Sequence, residues 1–377
     1  MGNHHDNYDL FNSSIHGWNT TRVGPKRDIV GEFAQAAKRH KLPWMVSIHA
    51  SRAPSFFDGA FGSDSEGDKK GIPYDGALTR ENGKGQWWEG LDPQQLYATH
   101  YTNFEHEFLQ RATELVKNYE PDLLYYDDPQ IPRGFGPAAA LYAQSKARHG
   151  SIQAIVTVKS PQAGTMLDME KGGAGELEPF YWQTDTTLAQ DWFLKYDDGE
   201  KTLLHDPRSL VENITDIVSK NGSLMLNVAV NADGSVPEDQ QKVLDSFGAW
   251  MHRYGEAIYN TRPWKTHGTG GAVKGGHFNE RRRFNEPWGS DVIRFTRNKE
   301  NNRLYLFVFG VDEPKDVTIE ALARSSGHFS GQSRKVTLVG DGSVVKWSLD
   351  ERGLHLALPK IAPAPHCAVL ALDVDAL

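Results

Sequence analysis

Pro121-Asp122-Leu123-Leu124-Tyr125-Tyr126-Asp127-Asp128-Pro129 is the stretch on which the reading of this chain turns. Four consecutive apolar residues are too few for a helix and suit a strand buried on both faces, as in a parallel sheet. Two carboxylates and a proline end the run. Before it, Pro93 to Tyr119 reads as one helix, with Phe104, Phe108, Ala112, Leu115 and Val116 on a single face. After it come a helix over Pro137 to Arg148 and a strand over Ile152 to Val158. The same strand and helix rhythm extends outward in both directions. Ile29, Val30, Phe33, Ala36 and Ala37 fall at helical spacing after Gly24-Pro25, and Leu42 to Ile48 follows as a strand. Further on come a helix from Ser209 to Ser219, a turn at Asn221-Gly222 and a strand from Ser223 to Val228. Pro237 opens a last helix, with Glu238 and Asp239 favouring its N-terminus.

Alternation of this kind implies α/β architecture with a parallel sheet, either a (β/α) barrel or a doubly wound fold. No Gly-x-Gly-x-x-Gly follows a strand, which weighs against the dinucleotide-binding version. A polar, Gly-rich stretch from Asp58 to Gly90 is too long for an ordinary connection and reads as an active-site loop or lid rather than a linker. Past Trp264 the pattern changes. A Gly-rich linker, His267 to Gly276, leads to short segments at Val292–Thr296, Leu304–Phe309, Val336–Val339, Val344–Leu349, Leu354–Leu358 and Ala368–Leu372. These predict a small antiparallel β-sandwich. The expected division is a catalytic barrel over residues 1–264 and a sandwich over 265–377.

With 377 residues the chain is long enough for a barrel plus a second domain. A net charge of −8, with no basic stripe to neutralise phosphates, argues against a nucleic-acid partner, and none is expected. The densest basic run, Arg281-Arg282-Arg283, is flanked by Glu280 and Glu286 and reads as a solvated loop. Cys367 is the sole cysteine, so no disulfide forms within the chain. No apolar run reaches the roughly 18 residues of a membrane span, and no membrane partner is expected.

In parallel barrels, the residues at strand C-termini face the active site. That rule collects Asp127 and Asp128 from one strand, His49 from another and Lys159 from a third, with Glu170 on the loop after Lys159. Glycoside hydrolysis needs two carboxyl groups, one as nucleophile or base and one as proton donor. Each residue also has a plainer explanation. A strand-terminal Asp before Pro can close a turn, Glu170 can be a loop charge, His49 a core residue and Lys159 a surface cation. The joint pattern carries the weight. Asn3-His4-His5-Asp6 invites a metal, but adjacent residues of an extended strand point to opposite faces, so no metal and no cofactor are expected.

These residues resemble the α-L-fucosidases of glycoside hydrolase family 29. Asn3-His4-His5-Asp6, followed by Trp18 and Gly24-Pro25-Lys26-Arg27-Asp28-Ile29-Val30-Gly31, looks like the family's Lys-His-His-Asp-Gly-Phe opening and the helix after it. Pro121 to Asp127 is similar to its nucleophile strand. Met169-Glu170-Lys171-Gly172 and Tyr181-Trp182-Gln183-Thr184-Asp185 resemble its acid/base loop and the segment that follows. Val218 to Asn227, then Ala232-Asp233-Gly234 and Gly255-Glu256-Ala257-Ile258-Tyr259, match in order and spacing.

The resemblance implies a retaining α-L-fucosidase acting on a fucosylated oligosaccharide or glycoconjugate. Asp127 would be the nucleophile and Glu170 the acid/base, with Glu178 as its rival. His4, His5, His49, Tyr125 and Lys159 would bind substrate. Tyr125 stands where the family more often has Trp, and His49 and Lys159 where many members have Tyr and Arg. In the family, another strand bearing a fucose-contacting His normally precedes the His-His pair. The expectation is therefore a (β/α)8-type barrel lacking its first strands. Such a chain would be weakly active, or its gap would be covered by another chain or by a homo-oligomer. Two other readings stay open: an inactive or carbohydrate-binding remnant of the fold, and a glycosidase for a related sugar such as L-galactose.

Overall fold

Leu123–Tyr126 forms strand β2, flanked in parallel by β1 (Met45–Ile48) and β3 (Ile155–Val158), with β4 (Met166–Asp168) pairing onto β3. The computed structural model describes residues 1–128, 135–194, 203, 205–271, 274–279, 287–329, 333–361 and 366–375. Two compact units divide it, Met1–Leu167 and Asp168–Leu377. The run Arg281-Arg282-Arg283, and Pro129 after the paired aspartates, lie outside the described residues.

In the first unit, α1 (Ile29–Arg39) starts where the Asp28 side chain accepts the Gly31 amide, an N-cap hydrogen bond. Only Val30 and Gly31 of this helix are buried, and Phe33, expected on its apolar face, is 72% exposed. After β1 comes a short helix, α2 (Ala53–Phe56), and then a run of isolated 3₁₀ turns through the expected loop. The single helix predicted over Pro93–Tyr119 is two, α3 (Pro93–Tyr97) and α4 (Phe104–Tyr119). Ala98 adopts φ 59° and is fully buried, so the chain turns there without any Gly or Pro to announce it. Helix α5 (Phe135–His149) links β2 to β3. Phe108, Ala112, Leu115 and Val116 of α4 and Leu141 of α5 pack on Val46, Ile48, Leu124, Tyr126 and Val156 of the sheet.

The first whole strand of the second unit is β5 (Trp182–Thr187), which the sequence did not suggest because four of its six residues are Thr or Asp; all six are buried. Its polar groups are satisfied internally. Gln183 Nε2 donates to Asp168 Oδ1 at 2.8 Å, Thr184 Oγ1 to the Met169 carbonyl at 2.8 Å, and Trp182 Nε1 to the Lys220 carbonyl at 2.9 Å. Helix α6 (Pro207–Ser219) precedes β6 (Gly222–Asn227), which pairs with β5 in parallel, and α7 (Glu238–Tyr254) follows.

The antiparallel part has two sheets. One has strand order β11-β14-β9-β8-β7, formed by β7 (Thr261–Thr269), β8 (Ile293–Asn298), β9 (Arg303–Phe309), β11 (Ser333–Leu338) and β14 (Cys367–Val374). The other has order β10-β13-β12, formed by β10 (Lys315–Ile319), β12 (Lys346–Leu349) and β13 (Leu354–Leu358). Part of the predicted Gly-rich linker is therefore strand, since β7 runs through His267 to Thr269.

Strand β9 shows why its sequence is apolar throughout. Leu304, Leu306 and Val308 face the three-stranded sheet, while Tyr305, Phe307 and Phe309 pack with Val211 of α6 and Trp250 and Tyr254 of α7. A sheet covered on both faces loses the polar alternation of a simple sandwich. The architecture is α/β of (β/α)8-barrel type, with six parallel strands among the described residues, followed by an antiparallel β-sandwich.

Candidate active site

The first unit brings His4, His5, His49, Tyr125, Asp127 and Lys159 together. Residues two apart on a strand share a face, so Tyr125 and Asp127 project to the same side of the end of β2. Asp127 is held by its backbone amide, which donates to the Ile48 carbonyl at 3.1 Å. Its Oδ1 lies 3.3 Å from Lys159 Nζ and accepts the Tyr125 hydroxyl at 3.3 Å. Its Oδ2 lies 3.2 Å from His49 Nδ1. Lys159 is nearly buried, and its ammonium also stands 5.3 Å from the centre of the Tyr125 ring. Asp127 itself stays 28% exposed, so the carboxylate has a cation, a phenol and an imidazole around it and an open side left for a ligand.

Asp128 points the other way and is buried. Burial pushes its carboxyl up to about 7, the neighbouring Asp127 charge acts in the same direction, and Ser51 and Arg52 oppose them. His49 Nε2 is 3.7 Å from Asp128 Oδ1, so this ring stands between the two aspartates. Burial lowers His49 to about 4, against the raising influence of Asp127, which keeps the imidazole neutral across the physiological range.

His4 and His5 reach this point because the first residues lie along the edge of β1. The Gly2 amide donates to the Ser47 carbonyl at 2.7 Å, and Asn3 forms a parallel bridge with Ile48. A Cβ on Gly2 would come within 2.7 Å of Leu115 Cδ1, a contact that leaves little room for a side chain. Asn3 Nδ2 donates to Asp9 Oδ1 at 3.0 Å, and Asn3 Oδ1 accepts the amide of His49 at 3.2 Å. Asp9 in turn receives Arg111 Nε at 3.0 Å and Nη2 at 2.6 Å, and Arg111 Nη1 donates to Asn7 Oδ1 at 2.7 Å. Both members of this ion pair are completely buried.

The bridge at Asn3 is isolated and the chain turns directly after it. The expectation that the two histidines diverge is therefore wrong. The His4 and His5 ring centres are 4.6 Å apart, and those of His49 lie 4.4 Å from His4 and 4.0 Å from His5. Sequence reasoning missed Asn3, Asp9 and Arg111 as the scaffold of the pair, since nothing in the primary structure links positions 9 and 111.

Glu170 belongs to the second unit, on the connection between β4 and β5. Its amide donates to His277 Nδ1 at 3.1 Å, and its carbonyl accepts the Phe278 amide at 2.8 Å. The Met169 and Lys171 amides on either side bond to the Gln183 and Asp185 carbonyls of β5, both at 2.8 Å. Gly172 is required here: a Cβ would sit 2.0 Å from the Gly276 carbonyl oxygen, where Gly173 and Gly276 pair in a short antiparallel bridge. The Glu178 segment is fixed separately, its carbonyl accepting Asn221 Nδ2 at 3.2 Å. A groove of about 800 Å³ in the first unit is lined by residues such as His106, Glu114 and Lys117 and by none of the candidate residues.

The family profile described as alpha-L-fucosidase matches residues 1–256, and that of the alpha-L-fucosidase C-terminal domain matches residues 287–372. The chain belongs to the α-L-fucosidase family. It is a glycoside hydrolase. Among similar fucosidases, that of Dictyostelium discoideum is 22% identical over 376 residues, covering 96% of this chain and 69% of that protein. The human plasma α-L-fucosidase is 24% identical over 381 residues, covering 95% and 67%. The crystal structure of the Thermotoga maritima α-fucosidase matches with a TM-score of 0.66 at 22% identity, over 98% of this chain and 74% of that one. That fucosidase has also been solved in complex with fucose and with a mechanism-based inhibitor.

Proposed function

We propose that this α-L-fucosidase family member hydrolyses terminal α-L-fucosides with retention of configuration, using Asp127 as nucleophile and Glu170 as acid/base. The observation that carries the assignment is Asp127 itself, a partly exposed carboxylate at a strand end with Lys159 and His49 on its two oxygens. In the first step Asp127 attacks the anomeric carbon, the glycosidic C–O bond breaks, and the leaving oxygen takes the Glu170 proton. Water then attacks the same carbon as Glu170 removes its proton, releasing fucose and restoring both carboxyl groups. A retaining reaction requires the two carboxyl groups to stand about 5–5.5 Å apart around the sugar.

His4 and His5 would hydrogen-bond the fucose hydroxyls, and His49, Tyr125 and Lys159 would set the position and charge of the nucleophile. The complexes of the Thermotoga maritima enzyme with fucose and with a mechanism-based inhibitor support a fucose pocket and a covalent step in this family. The catalytic part is taken as residues 1–264 and the sandwich as 265–377. A fucosylated oligosaccharide or glycoconjugate is the substrate.

The test compares 4-nitrophenyl α-L-fucoside hydrolysis by the wild type with Asp127→Gly, Glu170→Ala and Glu178→Ala. Collapse of turnover in Asp127→Gly, with azide restoring it as β-fucosyl azide, is the expected result. Azide should rescue Glu170→Ala with the opposite anomer, and Glu178→Ala should keep its activity. Full activity in Asp127→Gly would remove the nucleophile assignment. Loss confined to Glu178→Ala would move the acid/base role there.

A further inference from the structure

We propose that His4, His5 and His49 form a binding site for a late first-row divalent cation, Zn²⁺ in the first place, and that metal and sugar compete for this pocket. The competition rests on the reading of the pocket as a fucose site; the metal site rests on its own geometry. One ligand nitrogen from each of the three rings lies within 4.8 Å of the others. In a tetrahedral zinc site with Zn–N bonds of about 2.0–2.1 Å, neighbouring nitrogens are roughly 3.3 Å apart. The nitrogen pairs must close by up to about 1.5 Å to share one ion.

Three further features favour the ion. The donor set is entirely imidazole, which selects Zn²⁺, Cu²⁺ or Ni²⁺ over Mg²⁺ and Ca²⁺. His5 Nδ1 is buried and has no hydrogen-bond partner among the described residues, so a ligand there would satisfy it. Behind the third ring stand two acidic groups, Asp127 Oδ2 at 3.2 Å from His49 Nδ1 and Asp128 Oδ1 at 3.7 Å from His49 Nε2. Only one His49 nitrogen can ligate, so one carboxylate orients the ring from its other nitrogen while the second adds negative potential beside the ion. Lys159, 3.3 Å from Asp127, offsets part of that charge, which suits a reversible site better than a permanent one.

The scaffold is also built in advance. Asn3 directly precedes His4 and His5, and its side chain accepts the backbone amide of His49 while being anchored on Asp9. One buried asparagine thus keys all three ligands to each other, which reduces the ordering cost of binding.

The experiment is calorimetric titration of the chelator-treated, tag-free chain with ZnCl₂, with Co²⁺ visible absorption as a second readout of nitrogen coordination. Loss of an orienting partner alone costs roughly 10–100-fold in metal affinity, so loss of a ligand should cost at least that. The expected result is one Zn²⁺ per chain at this site, weakened by that factor in His5→Gln and in His49→Gln. The exposed His149→Gln should bind like the wild type, and saturating fucose should weaken Zn²⁺ binding. Circular dichroism confirms that each variant is folded. Absence of binding in the wild type, or binding indifferent to the His5 and His49 changes, overturns the metal site. Binding that needs both histidines but ignores fucose overturns the competition. Hydrolysis of 4-nitrophenyl α-L-fucoside by the same metal-free sample reports on the sugar reading separately.

Discussion

Lys159 Nζ lies 3.3 Å from Asp127 Oδ1, and the two residues follow the C-terminal ends of adjacent parallel strands. The lysine is almost out of contact with solvent, so its charge acts on the carboxylate with little screening. In the proposed reaction Asp127 is the nucleophile, and a cation 3.3 Å from its Oδ1 keeps the carboxylate ionised and in position. Lys159→Met should lower kcat/KM on 4-nitrophenyl α-L-fucoside about 100-fold, or about 2.7 kcal/mol. Lys159→Arg should lose less, because the charge remains. An unchanged rate in Lys159→Met would show that the ion pair is not used in the reaction.

The buried pair Asp9–Arg111 has no solvent contact on either side. Removing the guanidinium leaves a carboxylate buried without its cation, at a cost of roughly 3–5 kcal/mol. Urea unfolding of Arg111→Met should show a loss of that size. Adding Asp9→Leu should recover part of it, because the orphaned charge is gone. Because Asp9 anchors Asn3, both variants should also raise KM.

His267 sets a pH dependence of stability. Burial lowers it to about 4, Lys220 and Arg294 act in the same direction, and Glu176 opposes them. An unfolded histidine titrates near ~6.5. Between those values the unfolded chain binds the extra proton, so this contribution is fully present above about 6.5 and is lost as the pH falls toward 4. His49 titrates in the same sense, so the difference between wild type and His267→Gln isolates the His267 part. The wild type should lose Tm more steeply than His267→Gln between these pH values. Parallel Tm curves would contradict the assignment.

The two faces of β9 carry comparable weight. Leu306 and Phe307 are both fully buried, one toward the partner sheet and one toward the helices. Leu306→Ala should cost about 2–5 kcal/mol and Phe307→Ala about 3–5 kcal/mol in denaturant unfolding. Phe33→Ser, at an exposed position of α1, should stay within about 0.5 kcal/mol of the wild type.

The strand ending in Asp127 was legible because its four residues are all apolar, the usual composition of a buried parallel strand, and two carboxylates end the run. Helices α1, α5, α6 and α7 were legible for the same kind of reason, through periodicity and end signals such as Pro237. Strand β5 was not, because Gln, Thr and Asp in a buried strand depend on partners such as Asp168 and Lys220 that no local pattern announces. The break at Ala98 gave no signal either: its left-handed turn is imposed by packing rather than by residue type.

The same division holds for the site. The sequence by itself determined strands β1, β2, β3 and β6 of the parallel sheet, the antiparallel C-terminal part and the placing of Asp127, His49 and Lys159 just after strand ends, because apolar runs alternating with amphipathic helices mark such strands and their polar ends. Only the tertiary structure decided that His4 and His5 turn to the same side and meet His49. That outcome depends on Asn3, Asp9 and Arg111, residues up to 108 positions apart whose buried hydrogen bonds exist only once the chain has folded.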